Sequence, residues 1–405
     1  MKVGIITFHR SINYGAFMQC YSLSNRIKKD FPNVQVEVVD YTLKNALVNY
    51  INEIKSCKCL WRKQNLIDRK EAFANCCENL SLSKDRIEDN DIQEIANILN
   101  SNYDIVIVGS DAVWNWVTRG FPNIYFLKDY KGKKLSYAAS AHGMDFLKMT
   151  DKQKTYLKDA LNDFDYIGVR DITTEKMVNY VDKDLKVNHN CDPTAFLDIN
   201  QVPCDMVTLK QKLVSRGVDF SKPLIGLMAR DQIGREIKRK YGDKVQLIGI
   251  YEPNKYADVH LYDLTPFEWA HVFSFFKLTI THFFHGTMLS LVNGVPVIPI
   301  EFTSDFSEKH TTKIKDVLTR LELLEWREER DYRNRSFLQK VLMKLKLKTD
   351  KKLWNNVFCK IDDMLISDYK NVILEKIAKE SENYNTFYIA LQEVIKKLEK
   401  ERTND

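Results

Sequence analysis

Four short stretches of this 405-residue chain carry side chains able to hold an anion or move a proton. The most informative runs from Thr281 to Ile300 and reads as strand, turn, short buried helix, glycine stop, strand. No charged residue occurs from Gly286 to Ile300, so that helix lies deep in its domain. His285 and Gly286 fall at its N-terminus, where an imidazole, backbone N–H groups and the positive end of the helix dipole converge. An anion with a titratable oxygen suits that point. A histidine beside aromatics is often a satisfied core residue, but the strand-end position favours a site here. The second stretch, Val108 to Asn115, follows a convincing strand. Ser110 or Asp111 there serves either as a helix cap or as a ligand contact, and a carboxylate at Asp111 could orient or deprotonate a hydroxyl.

The third stretch is Ile167-Gly168-Val169-Arg170-Asp171. A guanidinium at a strand end suits bidentate grip of carboxylate or phosphate, and a salt bridge to Asp171 or another nearby acid is the plainer alternative. Arg230, after the first strand of the second half, follows the same logic. The fourth stretch, Thr7 to Ala16, joins the first strand to the first helix. Asn13 and Gly15 suit a tight turn whose helix N-terminus could take a phosphate or a sugar hydroxyl, or simply be capped.

Positioning these residues requires strands that end in polar loops. Val3–Phe8, Gln35–Tyr41, Asp104–Val108, Lys134–Ala138 and Tyr166–Val169 are short apolar runs of the kind buried on both faces of a parallel sheet. Helical stretches separate them: Phe17–Lys29, a long region from Leu43 to Leu80, Ile92–Leu99 and Asp151–Asp163. After a turn at Cys191–Thr194 the alternation restarts with Leu224–Ala229, Lys244–Ile250, Asp258–Leu261, Lys277–Thr281 and Val295–Ile300. Thr265-Pro266-Phe267-Glu268 has the chemistry of a capped helix start. The expected architecture is α/β: two Rossmann-like domains, 1–200 and 205–330, facing a cleft. A charge-rich helical extension, 331–405, follows, with helices over Phe337–Leu347 and Leu374–Lys400.

Composition narrows the class. Hydrophobic residues make up 44% of the chain and aromatics 11%, which excludes a wholly disordered or fibrous protein. The formal charge of +6 is a mild excess, not the basic stripe of a nucleic-acid binder, so no nucleic-acid partner is expected. It favours anionic small molecules or a peripheral contact with an anionic membrane. No apolar run is long enough to span a bilayer, and the first apolar stretch is too short for a signal peptide. The 8 cysteines include no C-x-x-C pair, which points to reduced thiols in the cytoplasm and gives no metal motif.

Taken in order, several motifs resemble the polysaccharide pyruvyl transferase family over about residues 2–325. They are Asn13-Tyr14-Gly15, Gly109-Ser110-Asp111 with Trp114, Ser136-Tyr137-Ala138-Ala139-Ser140 and Val169-Arg170-Asp171. Asp192-Pro193-Thr194 and Phe284-His285-Gly286-Thr287, with Gly294-Val295-Pro296, complete the set. The resemblance implies a fold like that of GT-B glycosyltransferases. It also implies transfer of a pyruvyl group from phosphoenolpyruvate, as donor substrate and without a cofactor, to two hydroxyls of a glycan or lipid-linked sugar. On that reading His285 and Asp111 are catalytic: His285 protonates the donor or stabilises departing phosphate, and Asp111 handles the acceptor. Asn13, Gly15, Ser110, Arg170, Arg230, Gly286, Thr287 and Lys313 bind substrate. Many characterised members carry Arg two residues before the counterpart of His285. Phe283 stands there in this chain, so the donor needs another cation, with Arg170, Arg230, Lys309 and Lys313 as candidates.

Two other functions compete. A GT-B glycosyltransferase using a nucleotide sugar would commonly place a Glu soon after a comparable His, and no acid lies between His285 and Glu301. A non-catalytic scaffold in a glycan-assembly complex would use the tail from Glu328 for docking. Whether the chain forms a homo-oligomer is left open by the sequence.

Overall fold

A computed structural model describes residues 1–43, 46–302, 311–330 and 351–404. Lys309 and the expected helix Phe337–Leu347 lie outside the described residues. The chain forms two compact units. One comprises Met1–Ser56, Phe73–Leu197 and Lys379–Asp405, the other Cys57–Ala72 and Asp198–Ala378.

The first unit is built on a six-stranded parallel sheet. Its strands are β1 (Lys2–Ile6), β2 (Gln35–Val38), β5 (Ile105–Val108), β6 (Lys133–Ala139), β7 (Tyr166–Val169) and β8 (Val187–His189), in the order β2-β1-β5-β6-β7-β8. A short pair, β3 (Tyr41–Thr42) and β4 (Ile87–Glu88), lies beside it. The uninterrupted apolar strands have a direct cause: alternate residues feed two separate cores. Val3, Ile5, Ile105, Ile107, Leu135 and Tyr137 join Phe387, Leu391 and Val394 on one face. Ile6, Val106, Val108, Ala139 and Val169 join Ile95, Leu99, Leu161 and Met177 on the other.

The second unit carries another six-stranded parallel sheet. Its strands are β9 (Leu224–Met228), β10 (Gln246–Ile250), β11 (Val259–Leu261), β12 (Leu278–Thr281), β13 (Val297–Phe302) and β14 (Glu328–Arg330). They are ordered β11-β10-β9-β12-β13-β14. Counted within the unit this is the Rossmann order 3-2-1-4-5-6, whose direction of winding reverses between β9 and β12. In the first sheet the reversal falls between β1 and β5. Loops after those four strands are where a ligand is expected in such sheets.

Two features depart from the expected boundaries. Residues 57–72 group with the second unit although they come from the N-terminal half. Residues 379–405 are no separate extension: the helix Asn385–Asn404 covers one face of the first sheet with Phe387, Leu391, Val394 and Ile395. The expected run Leu374–Lys400 is two helices, Lys370–Ser381 and Asn385–Asn404, joined by a 3-10 turn at Glu382–Tyr384. Among the described residues no helix is long and apolar enough to cross a membrane. None of the eight cysteines forms a disulfide.

Candidate active site

In the second unit the carboxyl ends of β9, β10 and β12 gather a cationic and titratable cluster. Met228 ends β9, and Arg230 follows two residues on as the cap of the helix Asp231–Tyr241. Its guanidinium lies 4.0 Å from the ring centre of Phe302, the last residue of β13. Tyr251 follows β10 and takes a left-handed backbone, φ +63°. Such a conformation is strained for a bulky aromatic side chain and needs support from its surroundings. The Tyr251 ring meets Trp269 at 5.7 Å, Phe283 at 5.5 Å and the Arg69 guanidinium at 4.6 Å. Phe283 in turn stacks on His282 at 4.3 Å.

Glu252, the next residue, faces His282 across 3.3 Å. Burial pushes the Glu252 carboxyl up to about 7, against the pull of Arg62, Arg230 and Arg69 and with added repulsion from Asp231. A carboxyl poised there exchanges a proton readily at neutral pH. It also has a stability signature. In the unfolded chain the group titrates near 4.5, whereas the folded protein holds the proton to about 7. The native state then binds more protons over that interval, so this group's contribution to stability falls as pH rises through it. Urea midpoints taken across the interval should fall more steeply with pH in the native protein than in Glu252→Gln. Equal slopes would contradict the assignment.

Arg62 and Arg69 arrive on the helix Leu60–Phe73, part of the 57–72 segment of the second unit. Trp61 of that helix, partly exposed, lies edge-on to His260 at 5.8 Å and Tyr262 at 6.4 Å. His260 and Tyr262 are themselves joined by a 2.9 Å hydrogen bond.

His285 is the second residue of the helix Phe284–Val292, half-buried and edge-on to Phe284 at 5.1 Å. Gly286 lets that helix approach β9, because a Cβ there would sit 2.1 Å from Met228 Cε. Thr287 is buried and donates its hydroxyl to the Phe283 carbonyl at 3.1 Å. Gly286 thus permits close packing of the helix, and the Thr287 hydroxyl is engaged by the turn. Lys313 opens the helix Lys313–Arg320, capped by Thr312, whose hydroxyl donates to Glu301 at 2.8 Å.

The first unit uses its strand ends differently. Arg170 is 2% exposed and donates to Asp192 at 2.7 Å, with Asp111 at 3.5 Å. Burial disfavours its charge, but Asp192, Asp111 and Asp171 outweigh that and hold its pKa above the ordinary value. The guanidinium expected to grip a donor is committed to a buried ion cluster, and the salt-bridge alternative is the one realised. Its 2.7 Å hydrogen bond goes to Asp192, while the adjacent Asp171 caps the next helix through Thr174 at 2.9 Å and accepts from Ser140 at 2.6 Å. Asp111, held by this arginine, accepts from the Ala112 amide at 2.7 Å and keeps 13% of its side chain exposed. It is a carboxylate held in place, with part of its edge open.

Ser110 is fully buried, its hydroxyl accepting from the Asp111 amide at 2.6 Å and its amide donating to Gln19 at 3.2 Å. Asn13 is the N-cap of the helix Tyr14–Asp30 and accepts from Gly15 at 3.1 Å and Ala16 at 3.3 Å. Those two amides, expected to meet a ligand, are already paired. Beside them Asp40 takes the Arg10 guanidinium and His9 at 3.1 Å. Burial would raise that carboxyl, but hydrogen bonds from Arg10 and His9 hold it well below the usual carboxylate range.

The family model for polysaccharide pyruvyl transferases matches residues 13–304, well over half of the chain. The chain belongs to the polysaccharide pyruvyl transferase family. Among curated proteins none matches it significantly. Solved structures with a similar fold include the UDP-GlcNAc 2-epimerase of Methanocaldococcus jannaschii, with a TM-score of 0.53 and 11% identity over 96% of this chain and 100% of that one. The UDP-GlcNAc 2-epimerase of Neisseria meningitidis, solved with UDP-GlcNAc bound, gives a TM-score of 0.53 and 9% identity over 97% and 100% of the two chains. At such identities the likeness concerns the GT-B-like fold alone.

For this member of the pyruvyl transferase family, sequence reasoning placed Arg230 and His285 in the second unit and missed Glu252, His282, Arg62 and Arg69. Glu252 and His282 lie at strand ends, so the rule that selected Arg230 could have selected them. Nothing local marks the two helix arginines. They lie far from β9, β10 and β12 in sequence, and only the grouping of 57–72 with the second unit brings them near.

Proposed function

We propose that this member of the family is a pyruvyltransferase that uses phosphoenolpyruvate as donor and a sugar diol as acceptor, in cytoplasmic glycan assembly. The observation that carries the reading is the Glu252–His282 pair among Arg62, Arg69 and Arg230 at the carboxyl ends of β10, β9 and β12. Phosphoenolpyruvate brings a phosphate and a carboxylate, which three guanidiniums can neutralise. It also needs an acid able to reach a carbon.

In the reaction, C3 of the donor gains a proton and one acceptor hydroxyl bonds to C2. The C2–O bond to phosphate breaks, and a second hydroxyl bonds to C2 to close the ketal. Two hydroxyl protons are lost; one balances the new C–H bond and the other leaves on inorganic phosphate. Glu252, whose carboxyl burial pushes up to about 7, supplies the C3 proton. His282, 3.3 Å away, returns a proton to Glu252 and takes one from the attacking hydroxyl. The guanidiniums stabilise the charge building on the leaving phosphate.

Incubating the protein with phosphoenolpyruvate and a panel of sugars tests this. The expected result is phosphate release that requires an acceptor, with the acceptor gaining a pyruvyl ketal by mass spectrometry. Release of a nucleotide from a nucleotide sugar, with phosphoenolpyruvate inert, would replace the reading with a glycosyltransferase.

A further inference from the structure

The helix Leu60–Phe73 carries a polar face with two arginines and a buried asparagine. Arg62, Asn65 and Arg69 are three and four residues apart, the spacing that aligns side chains on one side of a helix. The flanking members of that face are placed: Arg69 lies 4.6 Å over Tyr251, and Arg62 acts on the Glu252 carboxyl. Asn65, between them, is 2% exposed, and neither its Oδ1 nor its Nδ2 has a hydrogen-bond partner among the described residues. A buried amide left unpaired is destabilising, and native proteins seldom retain one unless something else meets it. Both neighbours along the face are cationic, and an anion's oxygen is the partner that suits the Nδ2 donor between them, with Oδ1 left to a ligand hydroxyl or an arginine N–H.

We propose that Arg62, Asn65 and Arg69, together with Arg230, form the seat for the phosphate of a phosphorylated donor. This rests on the transferase reading above and names the residues that hold the donor there. Two guanidiniums supply fork-shaped donors matched to phosphate oxygens. The Asn65 Nδ2 supplies a neutral donor between them, on a helix whose Trp61 touches His260 and Tyr262. The Phe283 loop brings no cation; its ring packs on Tyr251, and Tyr251 carries Arg69 on its other contacts. The aromatic run His282–Phe283–Tyr251 thus connects the acid–base pair to the phosphate seat.

The test is calorimetric titration of the full chain with inorganic phosphate, phosphoenolpyruvate and UDP, beside Arg62→Ala, Arg69→Ala and Asn65→Leu. For phosphoenolpyruvate, either arginine variant should raise Kd about tenfold or more, the scale of a lost charge-assisted pair. Asn65→Leu should weaken binding while leaving the unfolding midpoint unchanged or higher, because it removes an unpaired amide. A merely structural asparagine would give the opposite sign in the midpoint. Variants that bind phosphate and phosphoenolpyruvate as tightly as the native chain overturn the seat, as does an absence of saturable binding by all three probes. Acceptor-dependent phosphate release that survives both arginine substitutions keeps the pyruvyl reading and discards the seat. Binding of UDP that depends on Arg62 and Arg69, with phosphoenolpyruvate unbound, keeps the seat and discards the pyruvyl reading.

Discussion

Replacing Arg170 by alanine should destabilise the protein by about 3–5 kcal/mol, the usual range for removing one partner of a buried ion pair. Asp192 is buried, its Oδ1 accepting from the Thr194 amide at 3.0 Å and hydroxyl at 2.7 Å. Its Oδ2, now 2.7 Å from the guanidinium, would lose that partner. Asp111 would lose the group that fixes it and gain a like-charged neighbour without compensation. Urea unfolding followed by tryptophan fluorescence reads the loss. Arg170→Lys should recover part of it, since the charge returns without the planar fork. A loss below about 1 kcal/mol for Arg170→Ala would put the pair in the class of exposed surface bridges and contradict its structural role.

The second large effect is expected in turnover. Glu252→Gln and His282→Ala should each lower kcat by roughly 10²–10⁴, the range for removing a positioned acid or base. The double variant should lose little more than either single one, because two groups that pass one proton act as a unit. The pH profile gives a sharper readout. If protonated Glu252 is the acid, kcat/KM falls as pH rises above about 7, and that limb vanishes in Glu252→Gln. His285→Ala separates the two histidines. His285 sits at a helix N-terminus, whereas His282 is the one facing the carboxyl. Near-normal turnover in Glu252→Gln would remove the pair from the mechanism.

The fold was legible where burial is two-sided. β5 and β9, whose residues are all buried, are apolar runs with no other easy reading. The edge strands β8 and β14 were not legible. Val187-Asn188-His189 and Glu328-Glu329-Arg330 are short and polar, as outer strands are, and carry no apolar signal. The helix start at Thr265 was legible to the residue, because a cap, Pro266 and Glu268 each satisfy a separate local demand.

For the site, strand ends were legible and partners were not. Arg170 stood out by its strand-end position, but its pairing with Asp192 depends on a contact 22 residues away. The same limit hid Arg62 and Arg69. Their spacing on a helix can be read, yet an amphipathic face does not say which unit it joins. Phe283 is explained only once Tyr251 is seen beside it, since the aromatic pair occupies the place where a cation was sought.

The most direct measurement is a crystal structure of the protein grown with phosphoenolpyruvate. The account predicts the donor phosphate within hydrogen-bond distance of the Arg62 and Arg69 guanidiniums and the Asn65 amide, with C3 turned toward Glu252. Donor density bound elsewhere, with Arg62, Asn65 and Arg69 untouched at full occupancy, would contradict it.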